Sequence, residues 1–280
     1  MSTPGSVLRC QDTVVDLRQP LVMGVLNVTP DSFSDGGRFL DTGAAVRHGL
    51  ELARQGAAFI DVGGESTRPG AAPVDAGEEL RRVIPVIERL RGASAAVISV
   101  DTSKPEVMRA AAAAGAGLIN DVRALREPGA LAAARDSGCA VCLMHMQGEP
   151  RTMQLEPRYA DVVGEVGAFL AERLAACRAA GIDGERLAID PGFGFGKTLE
   201  HNLTLLRRLG ELTAAGVPLT VGVSRKSMVG ALTGRPPGER ALGSVVLAVM
   251  AALAGARIVR AHDVAATVEA LKVVTAVRGH

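Results

Sequence analysis

Aromatic residues are scarce in this 280-residue chain, which has no tryptophan, one tyrosine and six phenylalanines. Proteins that bind single-stranded nucleic acid stack bases on aromatic rings and follow the backbone with a basic groove. The formal net charge at pH 7 is only +1, from 31 basic and 30 acidic residues, so the charge gives no sign of a basic groove either. The composition therefore argues against a nucleic-acid partner.

Long apolar segments and paired cysteines are also scarce. The longest apolar helical segment, Ser244–Ala254, is too short to span a bilayer, and the first residues lack the apolar stretch of a secretory signal. Of the four cysteines, Cys139 and Cys142 form a C-x-x-C inside a predicted buried strand, without a second such pair or a paired histidine. We therefore expect a soluble, cytoplasmic protein with no membrane partner and with ordinary buried thiols.

Eight short apolar runs, separated by stretches of helical character, make up most of the chain, and 48% of its residues are hydrophobic. Strands that alternate with helices indicate βαβ units and a parallel sheet, and eight repeats are typical of a closed (β/α)8 TIM barrel of about 250 residues. Because no linker or low-complexity tract interrupts the pattern, we predict a single domain over residues 1–280. The eight runs are Leu21–Asn27, Ala58–Thr67, Ala96–Ser103, Gly117–Val122, Ala140–His145, Leu187–Gly194, Leu219–Ser227 and Arg257–Asp263. The predicted helices between and after them are Asp41–Gln55, Ala76–Arg91, Pro105–Ala114, Gly129–Asp136, Tyr159–Ala180, His201–Leu212, Gly238–Gly255 and Val264–Val277.

Segments outside the repeats carry further expectations. Residues Val7–Leu17 alternate around a polar centre and predict a short N-terminal β-hairpin that closes the bottom of the barrel. Long connections follow the first, second and fifth strands, at Asn27–Leu40, Gly63–Asp75 and Met146–Arg158. Long loops in a compact domain are usually either functional or disordered, and because all three leave the same face of the barrel we interpret them as mobile lids.

The helical segment Ser244–Ala254 is apolar almost all round. An outer helix of a barrel needs only one buried face, so a second apolar face favours a homodimer through this region. An alanine-rich helix with a merely small outer face is the alternative, and the sequence leaves both open.

Acidic or amide side chains recur where the predicted strands end, at Asp61, Asp101, Asn120 and Asp190. A lone aspartate after a strand is most simply a helix N-cap, and Asp101 before Thr-Ser-Lys-Pro could serve as one. Four such groups on one rim of a barrel suit a nitrogen-rich ring ligand better, because such a ring needs several donors and acceptors from different strands.

Cationic side chains cluster on the last two strands. Lys226 and Ser227 stand at the start of a helix after the seventh strand, and Arg260 and His262, two apart on the eighth, face the same way. These are the loops in which TIM barrels usually bind phosphate, so we predict an anion site. The alternative is a salt bridge at the rim for Arg260 and a capping role for His262. Across the mouth, Asn27 offers an amide oxygen suited to Mg²⁺, which also takes water and substrate phosphate oxygens.

The glycine-rich segment Gly192–Thr198 reads GFGFGKT and superficially resembles a phosphate-binding P-loop. That motif needs four residues between its first glycine and Gly-Lys-Thr, but here Pro191 occupies the place of the first glycine. We therefore interpret the segment as a loop that approaches a ligand closely after Asp190, with Phe193 and Phe195 as apolar walls. A simple tight turn is the alternative.

Taken in order, these segments resemble the bacterial dihydropteroate synthases, from about Met23 to Ala276. The most specific blocks are LNVTPDSFSDGG and GGESTRPGA, and ISVDTSKPEV, INDVRAL, LMHMQGEPRTMQ, DPGFGFGKT, SRKS and RAHD also match. The resemblance implies a dimeric (β/α)8 barrel of the folate pathway, inhibited by sulfonamides, with Mg²⁺ as cofactor. Its reaction joins 6-hydroxymethyl-7,8-dihydropterin diphosphate to p-aminobenzoate and yields 7,8-dihydropteroate and diphosphate.

The resemblance also implies a role for individual positions, each of which holds the expected residue type. The pterin pocket would consist of Asp101, Asn120, Asp190 and Lys226. The diphosphate site would consist of Asn27, Arg260 and His262, with Mg²⁺ on Asn27. The p-aminobenzoate site would consist of Thr67, Arg68, Pro69, Phe195 and Ser227. The catalytic residues would be Asp101, Lys226, Arg260 and His262. Ala261 departs from the expected valine, at a position that faces away from the site.

Two other functions remain open at this point. A pterin-binding methyltransferase, which takes a methyl group from methyltetrahydrofolate for a corrinoid protein, shares the barrel and the aspartates and asparagine, but the two specific loop blocks favour the synthase. A paralogue that binds pterin without turnover is the non-enzymatic alternative. The retention of six site residues argues against it, namely Asn27, Thr67, Arg68, Lys226, Arg260 and His262.

Overall fold

The computed structural model describes residues 5–29, 42–66, 73–148 and 152–279, and it confirms the predicted barrel with its N-terminal hairpin. The hairpin is formed by β1 and β2, which pair antiparallel, and the barrel is formed by the eight parallel strands β3 to β10. The strands are β1 (Val7–Cys10), β2 (Thr13–Asp16), β3 (Leu21–Asn27), β4 (Phe59–Gly63), β5 (Val97–Asp101), β6 (Leu118–Asp121), β7 (Ala140–Met144), β8 (Leu187–Asp190), β9 (Thr220–Gly222) and β10 (Ile258–Ala261).

Neighbouring barrel strands pair in the order β8-β7-β6-β5-β4-β3-β10-β9. The two ends of this sheet are joined by a parallel bridge between Ile189 and Leu219, so the barrel is nearly closed. Helices cover its outside between the strands. They are α1 (Thr42–Arg54), α2 (Ala76–Arg91), α3 (Pro105–Ala114), α4 (Ala130–Ser137), α5 (Val162–Ala179), α6 (Leu199–Arg207), α7 (Ser227–Thr233), α8 (Ala241–Leu253) and α9 (Val264–Arg278). In the part of the chain that the structure describes, no helix is long and apolar enough to cross a membrane.

The hairpin closes the amino-terminal end of the barrel, as predicted. Leu8, Cys10 and Leu17 belong to one buried cluster with inward side chains of the barrel strands, among them Met23 and Phe59. Side chains alternate along a strand, so the residue two positions after each of these inward side chains also points into the barrel, closer to the carboxyl end of the strand. The hairpin thus seals one end with apolar side chains and leaves the carboxyl ends of the strands for polar ones.

Helix boundaries follow local signals that are visible in the sequence. Helix α3 begins with Pro105, whose fixed φ suits the first turn, and ends at Gly115, which has a φ of 111° that favours glycine. Asp161 caps α5 by accepting a hydrogen bond from the Val163 amide. The helix therefore begins at Val162, three residues later than the start at Tyr159 that the periodicity predicted.

Two predicted helices differ from the observed ones. The segment His201–Leu212 is divided into α6 and a 3-10 segment, Leu209–Ala215, in which the buried Leu209 and Leu212 lie three apart and so share one face. The region after the seventh strand contains the short helix α7 before α8, because Gly234 ends α7 in the left-handed region and prolines follow. Helix α7 begins at Ser227, at the place where the sequence analysis expects a helix start after the seventh strand.

All four cysteines are free and buried, as predicted. Cys139 directly precedes β7 and Cys142 is the middle residue of that strand, and burial raises the pKa of both thiols. A protonated, buried thiol is a poor nucleophile, so these side chains act as packing.

Candidate active site

A polar layer fills the barrel interior toward the carboxyl ends of the strands, and its centre is Asp61 on β4. Asp61 is completely buried and accepts hydrogen bonds from Ser99 Oγ at 2.6 Å and from Asn120 Nδ2 at 3.1 Å. Arg260 Nε on β10 donates to the same carboxylate at 2.6 Å. Side chains from four strands therefore meet on one buried charge.

Arg260 also reaches a second carboxylate, because its Nη2 donates to Asp101 Oδ2 on β5 at 3.1 Å. One guanidinium thus lies between Asp61 and Asp101, inside the barrel and not at its rim. Burial, and next the nearby charge of Asp61, raise the pKa of Asp101 to about 7. Burial alone would lower the pKa of Arg260, but the two carboxylates raise it above its ordinary value, so Arg260 stays a cation.

Asp101 is not the helix cap that a lone aspartate would suggest, since Lys104 holds the N-cap position of α3. It lies instead beside Asn27, at the end of β3. A Cβ on Gly63 would lie 3.5 Å from Asp101 Cβ and 3.8 Å from Asn27 Oδ1. The absence of a side chain at Gly63 keeps open the space between these two oxygen-bearing groups.

The donor atoms at this point fit Mg²⁺. Asn27 supplies a hard amide oxygen, whereas the described residues contain no group of three or more histidine, cysteine, aspartate or glutamate side chains that could hold a metal alone. Mg²⁺ needs no such cage, because it keeps several waters and takes one or two protein oxygens together with substrate phosphates.

A second part of the mouth is formed by Lys226 and the loop after β8. Lys226 Nζ donates to the Phe193 carbonyl and lies 4.7 Å from the centre of the Phe195 ring. Burial lowers the pKa of Lys226 to about 8, although Asp190 opposes the shift. Burial likewise raises the pKa of Asp190, whose Oδ1 accepts a hydrogen bond from the Gly192 amide at 2.7 Å.

The loop after β8 differs in one respect from the prediction. Phe193 is fully buried in the main core, so it cannot wall a ligand, whereas Phe195 is half-buried at the mouth. Gly192 and Gly196 have φ values of 68° and 61°, and a Cβ on either would collide with a backbone carbonyl of the β7 loop. Close approach of two backbones explains these two glycines.

The lysine of this loop is a feature that the sequence reasoning missed. Lys197 is 3% exposed, and its Nζ contacts His145 Nδ1 at 2.9 Å and the carbonyls of Gly192 and Phe195 at 3.0 Å each. Burial lowers the pKa of Lys197 to about 7 and that of His145 to about 3. Lys197 thus fixes the loop after β8 through its backbone carbonyls. The position of this lysine directly after repeated glycines is the sequence feature that could have indicated this role.

The cationic side chains on and after the last two strands lie close together. A Cβ on Gly222 would lie 3.7 Å from Arg260 Cβ and 3.8 Å from Lys226 Nζ, so both cations border one point. His262 Nδ1 lies 3.0 Å from Ser224 Oγ, and Ser227 is exposed as the first residue of α7.

The strand-end residues thus converge, but three predicted residues cannot be placed. Thr67, Arg68 and Pro69 lie outside the described residues, as do parts of the three long loops. Asp61 is the reverse case, since the strand-end pattern includes it without a role and the structure makes it the centre of the polar layer.

Comparison with known proteins identifies the chain. The sequence profile of the family described as "Pterin binding enzyme" matches residues 23–262. The chain therefore belongs to the pterin-binding enzymes that use a barrel of this kind.

Within that class the relatives are more specific. The dihydropteroate synthase of Escherichia coli K12 is 56% identical over 269 residues, which cover 96% of this chain and 95% of that protein. That of Haemophilus influenzae is 50% identical and covers 95% and 97%. The structure of Xanthomonas albilineans dihydropteroate synthase with 4-aminobenzoic acid superposes with a TM-score of 0.93 at 56% identity, over 99% of each chain. The chain is a member of the dihydropteroate synthases, and these relatives favour neither the methyltransferase nor the non-enzymatic alternative.

Titration of Asp101 tests the electrostatics of the polar layer. In the wild type the Asp101 carboxyl should titrate near pH 7, and Asp61→Asn should lower that pKa because it removes the neighbouring negative charge. Carboxyl ¹³C NMR across pH 4 to 9 measures both, with Ser99→Ala as the control that alters the layer but keeps the charge. An unchanged Asp101 titration in Asp61→Asn would contradict the assignment.

The same raised pKa predicts a sign for stability. The folded protein holds the Asp101 proton more tightly than the unfolded chain, so this contribution is fully present below about pH 4 and is lost as the pH rises toward 7. Urea unfolding at several pH values measures the free energy of unfolding. Between pH 4 and 7 this free energy should fall less in Asp61→Asn than in the wild type.

Proposed function

We propose that this dihydropteroate synthase joins 6-hydroxymethyl-7,8-dihydropterin diphosphate to p-aminobenzoate at the carboxyl end of its barrel, by a Mg²⁺-assisted, S_N1-like path. The observation that carries the mechanism is the convergence of Asp101, Arg260 and Lys226 around one interior space. A related enzyme from Xanthomonas albilineans has been solved with 7,8-dihydropteroate, at 54% identity and a TM-score of 0.90.

Pterin recognition is assigned to Asp101, Asn120, Asp190 and Lys226. The amino and amide N–H groups of the pterin ring are donors, and the Asp190 carboxylate is a buried acceptor for which Gly192 occupies only Oδ1 among the described residues. Lys226, which now donates to the Phe193 carbonyl, is a donor for the ring acceptors. The half-buried Phe195 ring and the Lys226 stem provide an apolar side to the same pocket.

Departure of the diphosphate is assigned to the cationic side of the mouth. Arg260 uses Nε and Nη2 for the two carboxylates, so among the described residues its Nη1 can be assigned to an anion, and His262 follows directly after the end of β10. When bound on Asn27, Mg²⁺ would neutralise charge on the leaving oxygens. Preorganised positive groups of this kind usually supply the largest part of transition-state stabilisation.

The carbon that loses diphosphate becomes positively charged, and the pterin ring delocalises this charge. Asp101, as a carboxylate beside the ring, offsets it. The aromatic amine of p-aminobenzoate is nucleophilic when neutral, so the site needs no strong general base to activate it. Ser227 at the start of α7 suits the p-aminobenzoate carboxylate, and Thr67, Arg68 and Pro69 stay predicted contacts for that substrate.

A homodimer is proposed through α8. Leu242, Val246, Met250 and Leu253 recur at helical spacing and are between 48% and 79% exposed, and Val277 of α9 is 80% exposed. Exposed apolar side chains that recur along one helix are typical of a protein interface. The free, buried cysteines support a reducing compartment, and we propose the cytoplasm.

Product formation is the first test of the reaction. Purified protein with the dihydropterin diphosphate, p-aminobenzoate and Mg²⁺ should yield dihydropteroate, measured by mass spectrometry, and EDTA should abolish the product until Mg²⁺ is restored. Diphosphate release that does not depend on p-aminobenzoate would instead indicate hydrolysis. Tight pterin binding without product would refute the proposed turnover.

Asp190→Asn tests the pterin pocket. The amide keeps an acceptor for the Gly192 N–H but loses the charge and one acceptor, so pterin affinity should fall about 10- to 100-fold while p-aminobenzoate affinity changes little. Isothermal titration calorimetry measures both affinities. The matched control is Asp183→Asn, which changes an aspartate in the turn before β8, at the opposite end of that strand from Asp190. Wild-type pterin affinity in Asp190→Asn would remove Asp190 from the pocket.

Substitution in the apolar stripe tests the dimer. Two charges from Leu242→Glu and Val246→Glu should weaken association by at least about tenfold, because unpaired charge in an interface core costs free energy. Analytical ultracentrifugation measures the dissociation constant. Val14→Glu changes an equally exposed apolar residue of the hairpin and should leave association unchanged. A wild-type constant for the double variant would place the interface elsewhere.

A further inference from the structure

Two turns that follow neighbouring strands carry side chains of the proposed site. The turn after β9 leads through Ser224 and Arg225 to Lys226, and the turn after β10 contains His262 and Asp263. The two strands pair in parallel, so the turns leave the barrel side by side. Arg225 and Asp263 have no substrate contact in the proposed function, but they are direct neighbours in sequence of two residues that do.

An ion pair joins the two turns. The Arg225 guanidinium donates to both carboxylate oxygens of Asp263, from Nε at 3.0 Å and from Nη2. One residue earlier in each turn, the His262 N–H donates to Ser224 Oγ at 3.1 Å. The turns are thus linked at two successive positions. An arginine that binds both oxygens of a carboxylate fixes orientation as well as distance.

The backbone of Arg225 is unusual for an arginine. Its φ is 57°, in the left-handed region that favours glycine and, less strongly, asparagine and aspartate. Contacts from the side of α8 hold this conformation, because the Arg225 N–H donates to Ser244 Oγ at 2.8 Å and Arg240 Nη1 donates to the Arg225 carbonyl at 3.2 Å. Backbone strain of this kind is concentrated at functional sites, where surrounding contacts maintain it.

Asp263 also departs from its local preference. It is the N-cap residue of α9, where an aspartate side chain normally accepts a hydrogen bond from a helix amide, but among the described residues it makes no such capping bond. Its two oxygens accept from Arg225 instead, 38 positions away. Both residues therefore give up a local optimum for one long-range contact, and conflicts of this kind are expected at functional positions.

We propose that Arg225 and Asp263 are positioning residues for the dihydropterin diphosphate. Their ion pair holds the turn that carries Lys226 against the turn that carries His262, so that the two side chains keep a fixed separation. This proposal rests on the proposed function, which assigns Lys226 to the pterin ring and His262 to the diphosphate of the same substrate. A displacement of about 1 Å in such a site can lower the rate by roughly 100-fold.

The p-aminobenzoate side should depend less on the ion pair. Ser227, which is assigned to the p-aminobenzoate carboxylate, is the first residue of α7. The next two residues, Met228 and Val229, are buried in the main core, so packing of α7 keeps Ser227 in place. A positioning role therefore predicts a larger effect on one substrate than on the other, which a general loss of folding would not produce.

Arg225→Gly is the first test, because glycine suits the left-handed backbone while the ion pair is lost. The Arg225 side chain is 39% exposed, and ion pairs of this exposure contribute little to stability, so the midpoint of urea unfolding should stay at or close to the wild-type value. In contrast, kcat/KM for the dihydropterin diphosphate should fall about tenfold, while the KM for p-aminobenzoate stays within about twofold.

Asp263→Asn breaks the same ion pair from the other side. The amide keeps one acceptor, so kcat/KM for the dihydropterin diphosphate should fall by less, about threefold. The double variant of Arg225→Gly and Asp263→Asn should be no worse than Arg225→Gly alone, because both changes remove one contact. Steady-state kinetics with each substrate varied in turn measure all of these values.

Gln11→Gly is the matched control. Gln11 also has a left-handed backbone, with a φ of 53°, but it lies in the turn of the hairpin, at the opposite end of the barrel. Its replacement should leave kcat and both KM values unchanged.

Two results would overturn the proposal. One is a wild-type kcat/KM for the dihydropterin diphosphate in both Arg225→Gly and Asp263→Asn. The other is an equal rise in KM for both substrates together with a lower unfolding midpoint, which would make the ion pair a structural contact only. Failure of the proposed function would be seen separately, since the wild-type chain would then make no dihydropteroate in the same assay.

Discussion

The ion pair on which the active site depends lies inside the barrel, where Arg260 stands between Asp61 and Asp101. Both carboxylates are buried, so each needs a nearby cation. The Arg260 guanidinium serves both of them. Such a buried network is weak evidence for stability, because desolvation offsets much of the attraction. Its consequence is functional: it holds the Arg260 fork and the Asp101 carboxylate in fixed orientations before any ligand arrives.

The charge balance of this layer suits the proposed chemistry. Two carboxylates share one guanidinium, and burial, followed by the nearby charge of Asp61, raises the pKa of Asp101 to about 7. A growing positive charge on the substrate would find a compensating carboxylate in Asp101. Lys226 and Arg260, whose side chains both lie near Gly222, would face the leaving anion. Fixed charges of both signs in one site stabilise the charges that develop when a leaving group departs.

Rigid supports surround this layer. The hairpin fills the amino-terminal end with apolar side chains, Lys197 and His145 brace the loop that carries Phe195, and Glu65 after β4 accepts a hydrogen bond from the Val74 amide. The Lys197 ammonium group and the Glu65 carboxylate are each held by hydrogen bonds to other parts of the chain. The loops of the mouth are thus attached to the barrel at defined points, which reduces the entropy lost when a ligand binds.

Much of this could be predicted from the chain alone, because hydrophobic alternation and turn residues are local properties. The eight strands, the hairpin and the strand-end positions of Asp101, Asn120, Asp190 and Arg260 follow from them, and two loop blocks indicate the family. Contacts between distant residues are not local, so the sequence did not show that Asp61 binds Arg260, 199 positions away, or that Lys197 reaches His145. Nor did it distinguish Phe193 in the core from Phe195 at the mouth. The sequence by itself determined which residues stand at the ends of the strands, whereas only closure of the barrel decided which of them meet and which charges are buried together.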